Sequence, residues 1–97
     1  MSYRHVKFPE SGQKITVSDN RLVVSDNPIL GFVEGDGIGS DITSAAMRVW
    51  NAAVEKAYHG KRKVAWLEVY AGEESFNRSG EWLPQETVDQ FRKYLVG

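Results

Sequence analysis

"ILGFVEGDGIGSDITSAAMRVWNAAVEKAYHG", residues 29–60, decides the fold. Its first part, Ile29 to Glu34, is short, apolar and preceded by the turn residues "SDNP". Such a run suits a strand buried on both faces of a parallel sheet. Three glycines follow at positions 35, 37 and 39. The segment after them has helical period. Ile42, Ala45, Ala46, Val49, Trp50, Ala53, Val54, Ala57 and Tyr58 form one apolar stripe. The stripe runs for roughly four turns and predicts a long core-facing helix. Ser40 or Asp41 is expected to cap its start, and Gly60 to take the left-handed position at its end. The reading is strand, glycine turn, helix.

The same logic extends outward. "VAWLEVY", Val64 to Tyr70, carries β-branched and aromatic residues at both parities and predicts a second buried strand. "AGEESFNRSGEW", Ala71 to Trp82, reads as a long polar loop. "LPQETVDQFRKYL" predicts a second helix, with Pro84 at its first position and Val88, Phe91 and Leu95 facing the core. Upstream, Ile15–Val17 and Leu22–Val24 flank the turn-rich "SDNR" and predict a β-hairpin. The fold class is therefore α/β. An extended arm (1–13) leads to the hairpin (14–24) and then to a parallel β-α-β-α unit (29–97). A parallel sheet normally needs more than two strands, and the sequence stops where a third is due. The expectation is a part of something larger.

Composition narrows the class. The chain has 97 residues, 41% hydrophobic and 26% charged, with a net charge of −1. A chain of this size buries only roughly 60–65% of its unfolded surface, so its core is thin. No basic stripe marks a nucleic-acid binder; Lys61-Arg62-Lys63 reads as a solvated turn. There is no cysteine, so neither disulfides nor thiolate metal sites arise. The first ten residues hold no apolar signal core, and no run reaches the ~20 residues of a membrane span. The chain is read as cytoplasmic, with no nucleic-acid or membrane partner. "NRS" at Asn77 matches a glycosylation sequon that such a chain would not use.

The glycine loop invites a nucleotide reading, and its chemistry resists it. A dinucleotide fingerprint, G-x-G-x-x-G, needs its third glycine where Ser40 stands. Glu34 and Asp36 would put two carboxylates beside the pyrophosphate. Each like-charge contact at ~4 Å costs about 4 kcal/mol at an effective dielectric of ~20. A helix N-terminus returns only about 0.3–1 kcal/mol. The phosphate cradle loses. The glycines Gly35, Gly37 and Gly39 either serve the sharp turn alone, or border a cofactor by shape, or present Asp36 or Asp41 to a cation or a hydrogen bond. Elsewhere no catalytic or metal-ligating set converges. His5 and His59 stand apart from any second group. Glu73, Glu74 and Glu81 read as a solvated loop. Ser40, Ser44, Ser75 and Ser79 lack a nearby base, and Trp50, Trp66 and Trp82 read as packing.

Three stretches together carry a resemblance. "NPILGFVEGDGIGSDIT", "AAVEKAYHGKRKVAWLEVYAGEES" and "GEWLPQETVDQFRKY" resemble the N-terminal segment of bacterial NADP-dependent isocitrate dehydrogenases, of the β-decarboxylating dehydrogenase superfamily. The resemblance covers nearly the whole chain from "KITV" onward. It implies part of the large domain of an isocitrate/isopropylmalate dehydrogenase-like sandwich. The parent enzyme oxidises isocitrate to 2-oxoglutarate and carbon dioxide, reduces NADP, uses magnesium or manganese, and is a homodimer. The resemblance places the substrate, catalytic and metal residues beyond the "KGP"-type sequence that follows such a segment, so none falls in these 97 residues. It assigns one cofactor contact here, Ile38 near the nicotinamide, with the glycine loop bordering the cleft. Alone, the chain is expected to be inactive and to bind neither NADP nor metal. Its partner would be the remainder of the parent enzyme, or another chain completing the sheet. The other reading is a non-enzymatic interaction module derived from that family.

Overall fold

A computed structural model describes residues 6–97. Two short antiparallel strands come first, β1 (Thr16–Ser18) and β2 (Arg21–Val23). Asp19 and Asn20 join them with φ of 52° and 62°, the two left-handed residues that a tight hairpin turn requires. The hairpin lies where the sequence put it, but it stands in solvent. Val17 and Leu22, paired across it, are both 58% exposed, and only Ile15 just ahead of β1 is buried.

The central unit is parallel. β3 (Ile29–Phe32) pairs with β4 (Ala65–Glu68) in the register Ile29↔Ala65 to Phe32↔Glu68. The helix α1 (Gly39–Tyr58) connects them. Two further helices follow, α2 (Glu73–Ser79) and α3 (Gln85–Tyr94). Side chains alternate across the strands and divide the sheet into two faces. Leu67 and Val69 are buried with Tyr94, and Ile29, Val33 and Phe91 pack on that cluster. On the other face Trp66 meets Trp50 of α1 at 5.8 Å and Phe32 edge-on at 6.0 Å. Helices thus cover both faces, as a parallel sheet demands.

Both sheet edges are partly occupied by irregular chain. The arm lies against β4, where Lys7 and Glu68 exchange backbone hydrogen bonds of 2.9 and 3.1 Å. Its far end is fixed at β3, where Ile29 N–H donates to the Gln13 carbonyl. Beyond α3 the backbone returns to that same edge of β3, away from β4, where Gly31 N–H donates to the Val96 carbonyl at 3.1 Å. The part of the predicted arm at residues 1–5, with His5, lies outside the described residues.

Five expectations change. First, α1 buries no residue fully, and Ile42 and Val49 are 56% and 66% exposed. A 20-residue helix is about 30 Å long, whereas four-residue strands reach about 13 Å, so the sheet covers only part of the stripe. Second, neither Ser40 nor Asp41 caps α1. The glycine turn starts the helix at Gly39, with Ile38 in the capping position. Third, His59, not Gly60, is the first left-handed residue after α1 (φ 53°), and Gly60 follows at φ 79°. Fourth, the predicted polar loop contains α2, bracketed by Gly72 and Gly80 at φ 80° and 81°. Fifth, Phe91 packs on the core as expected, but the buried residues of α3 are Thr87, Gln90 and Tyr94, while Leu95 is 44% exposed and Pro84 precedes the helix as its N-cap.

That inner face is polar for a reason only partly satisfied. The Thr87 hydroxyl donates to the Tyr70 carbonyl at 2.6 Å, tying α3 to the end of β4. Gln90 is 1% exposed, and neither end of its amide has a partner among the described residues. An unsatisfied buried polar group costs about 1–3 kcal/mol. Gln90→Met, similar in volume and free of polar atoms that need partners, is expected to raise stability by about 1 kcal/mol. A urea titration checks this, and a lower midpoint would show that the amide is paired after all.

Candidate functional site

The parallel strands β3 and β4 end on the same side of the sheet. β4 lies on one side of β3, and the chain after α3 returns on the other, where Gly31 N–H donates to the Val96 carbonyl. Open α/β sheets place ligands beyond the carboxyl ends of their strands. The glycine loop leaves β3 there.

Each glycine of the loop has its own requirement. Gly35 and Gly37 have φ of 85° and 61°, which side chains other than glycine's rarely take. Gly39 is needed for space, since a Cβ on it would lie 2.5 Å from the Glu34 carbonyl oxygen. The same oxygen accepts the Thr43 hydroxyl at 3.0 Å, and Gly39 N–H donates to the Asp36 carbonyl at 2.9 Å. The strand therefore turns into α1 within a tight, bonded loop. Ile38 stands at its apex, 71% exposed. An apolar side chain held out in this way has surface to offer a flat ring.

The surroundings are acidic. Asp36 Oδ1 accepts the Glu73 N–H at the start of α2 at 2.8 Å. The Tyr70 hydroxyl donates to Glu68 Oε1 at 3.1 Å, and Arg78 lies 4.3 Å from the Tyr70 ring centre. Arg78 also bonds Glu74 through Nε and Nη2 at 3.2 and 3.1 Å. Desolvation raises the Glu34 carboxyl above its ordinary 4.5, and the charges of Glu68 and Glu74 push the same way against Arg78. Burial first, then the charge and hydrogen bond of Glu68, raise Tyr70 above its ordinary 10.0. Carboxylates crowded in this way do not suit a phosphate, which agrees with the loop's failed fingerprint. Among the described residues no three His, Cys, Asp or Glu side chains form a metal-holding group, and no helix is long and apolar enough to cross a membrane.

The remaining candidates disperse. Glu74 is paired on α2 and Glu81 is exposed. The Ser75 hydroxyl is buried and donates to the Glu81 carbonyl at 2.6 Å, a structural bond. Ser40 and Ser44 are exposed on α1, and His59 sits at its far end. Arg62 of the basic turn pairs with exposed Asp26 at 3.3 Å. Trp82 is not core packing: it stacks on Phe76 at 4.7 Å and is 59% exposed. Sequence reading left a hydrogen bond open for Asp36 but could not name its partner at α2, for which no local signal exists.

A family model described as isocitrate/isopropylmalate dehydrogenase matches residues 29–97. The chain belongs to the isocitrate/isopropylmalate dehydrogenase family. Its matched region starts at β3 and takes in the glycine loop and all three helices. Similar proteins named isocitrate dehydrogenase [NADP] include one from Pseudomonas aeruginosa (strain UCBPP-PA14), 52% identical over 99% of this chain and 24% of the relative. One from Coxiella burnetii is 49% identical over 99% of this chain and 23% of its own length. One from Staphylococcus epidermidis is 51% identical over 89% and 20%. The chain thus spans about a quarter of the length of the curated relatives it matches.

For this member of the isocitrate/isopropylmalate dehydrogenase family, the raised Glu34 carboxyl has a signed consequence. The folded state holds the Glu34 proton to higher pH than the unfolded chain does. Its stabilising share is complete below the unfolded value and is lost as pH rises through the folded one. Glu34→Gln is therefore expected to flatten stability against pH in the range just above 4.5 and to raise the midpoint at neutral pH. Thermal melts across that range check it; an unchanged profile contradicts it.

Proposed function

We propose that residues 1–97 serve as the N-terminal part of the large domain of an NADP-dependent isocitrate dehydrogenase. The reaction of the whole is oxidation of isocitrate to 2-oxoglutarate and carbon dioxide, with NADP reduced. What carries the reading is the match across 99% of this chain to relatives bearing that name. The glycine loop beyond the carboxyl end of β3 is in keeping with it. In that setting Ile38 offers an apolar contact to the nicotinamide ring, and the loop shapes one wall of the cleft. NADP bound there would accept a hydride. The phosphates belong elsewhere, because Glu34 and Asp36 oppose them. A magnesium or manganese ion finds no donor set among the described residues, so no step is assigned to it here.

The partner in this reading is the remainder of such an enzyme. An apolar groove of about 620 Å³ lies beside β3, lined by Leu30, Val33, Trp50, Val54, Phe91 and Gly97. Further chain laid against it would cover these residues. With substrate-, metal- and hydride-transfer groups held elsewhere, the purified chain is expected to give no isocitrate-dependent NADPH with magnesium or manganese present. Turnover above background would overturn the division of labour proposed here.

A further inference from the structure

The segments "EGDGIG" and "YAGEE" are far apart in sequence and joined by one side chain. Asp36 lies between two helix starts. Its carbonyl accepts the Gly39 N–H at α1, and its carboxylate accepts the Glu73 N–H at α2. The first N–H groups of a helix have no partner within it and are normally met by the residue at the N-cap. At α2 that residue is Gly72, which has no side chain to offer. Asp36 supplies the missing acceptor from 37 residues away. The fit is close. A Cβ on Gly72 would lie 2.6 and 2.7 Å from the two Asp36 carboxylate oxygens, so the carboxylate fills the space a side chain would take. Gly72 is itself held, its N–H donating to the Trp82 carbonyl at 2.7 Å. A negative group here also suits the positive end of the helix dipole.

Ile38 lies between the two residues that make these bonds to α1. If the Asp36 side chain releases α2, the loop keeps its link to α1 but loses its side-chain hydrogen bond to α2. We propose that Asp36 is a positioning residue. It locks the glycine loop to α2 and so sets where Ile38 stands beyond the end of β3. Its carboxylate is thereby committed to a helix start and is not free for a cation or a ribose. The bearing on cofactor contact rests on the function proposed above; the lock itself does not.

The test is residue-level amide exchange in the 97-residue chain, with Asp36→Ala and Asp36→Asn. Losing a cap acceptor costs about 1 kcal/mol, so Asp36→Ala should speed exchange at Glu73 by about five- to ten-fold. The amides of Leu67 and Val69, in the core, should stay within about two-fold. Asn keeps an acceptor oxygen and should restore most of the protection. Unchanged Glu73 exchange in Asp36→Ala would overturn the lock. So would an equal rise at Leu67, which marks general destabilisation. A second arm mixes the chain with the remaining part of the Pseudomonas aeruginosa relative. There Asp36→Ala should raise the KM for NADP by about five-fold or more while kcat and the KM for isocitrate hold. An unchanged KM alongside loosened exchange would overturn the Ile38 contact and leave the lock standing.

Discussion

Leu67→Ala is expected to remove about 3 kcal/mol of stability and, in this chain, most of its cooperative folding. Leu67 is fully buried at the centre of β4, with Val69 and Tyr94 in the same cluster. Truncating a buried leucine costs about 2–5 kcal/mol, because the cavity adds to the lost transfer energy. Few side chains share that load: the cluster has three buried members, two of them fully so, with Val6, Ile29, Val33 and Phe91 around it. Domains have about 5–15 kcal/mol in total, and one with so small a core stands at the low end. Urea unfolding followed by tryptophan fluorescence measures the effect. A loss below about 1 kcal/mol would mean that the core lies elsewhere.

Gly39→Ala should be the next most costly change. The added Cβ would meet the Glu34 carbonyl oxygen at 2.5 Å, and that oxygen is backbone, already held by Thr43. Alanine gains up to about 1 kcal/mol of helix propensity at a helical position, which offsets part of the strain. Overpacking typically costs about 1–3 kcal/mol, and a fixed carbonyl puts this case at the upper end, so the net loss is about 2 kcal/mol. Gly37→Ala makes the control, because a Cβ there meets nothing within 4 Å and only its φ of 61° is unfavourable. Its cost should be about 1 kcal/mol. Thermal melts of the two variants decide the order; Gly37→Ala as the costlier one would contradict the close approach.

The elements that announce themselves by period were legible. β3, α1 and β4 follow from apolar runs and a repeat near 3.6, and the hairpin from β-branched runs around Asp19-Asn20. What failed did so where local pattern does not determine the outcome. α2 has seven residues and one large apolar side chain, Phe76, too few to show a period. Its signals were quieter: acids first, Arg78 four residues after Glu74, and a glycine at each end. α3 turned its Thr87 and Gln90 face inward because the Tyr70 carbonyl offers Thr87 a partner, which hydropathy does not register. The exposure of the α1 stripe depends on strand length and sheet width. Of the candidate site, the turn from strand through glycines to helix was legible. The spacing and the charges of Glu34 and Asp36 told against a phosphate cradle; in the structure Gly35 and Gly37 take positive φ and Gly39 is needed for space. A hydrogen bond from Asp36 was one of the open alternatives, but its partner was not legible, since that amide lies 37 residues on.

If the chain forms one wall of a cleft whose chemistry lies in the rest of an isocitrate dehydrogenase, as proposed, the two parts should restore activity together. The most direct measurement is complementation. The 97-residue chain is co-expressed with the part of the Pseudomonas aeruginosa relative that it does not match, and isocitrate-dependent NADPH formation is followed with magnesium or manganese. Activity from the pair, with none from either part alone, is the predicted result. A stable complex of the two without NADPH formation, or activity from the larger part that is unchanged by adding the chain, would contradict it.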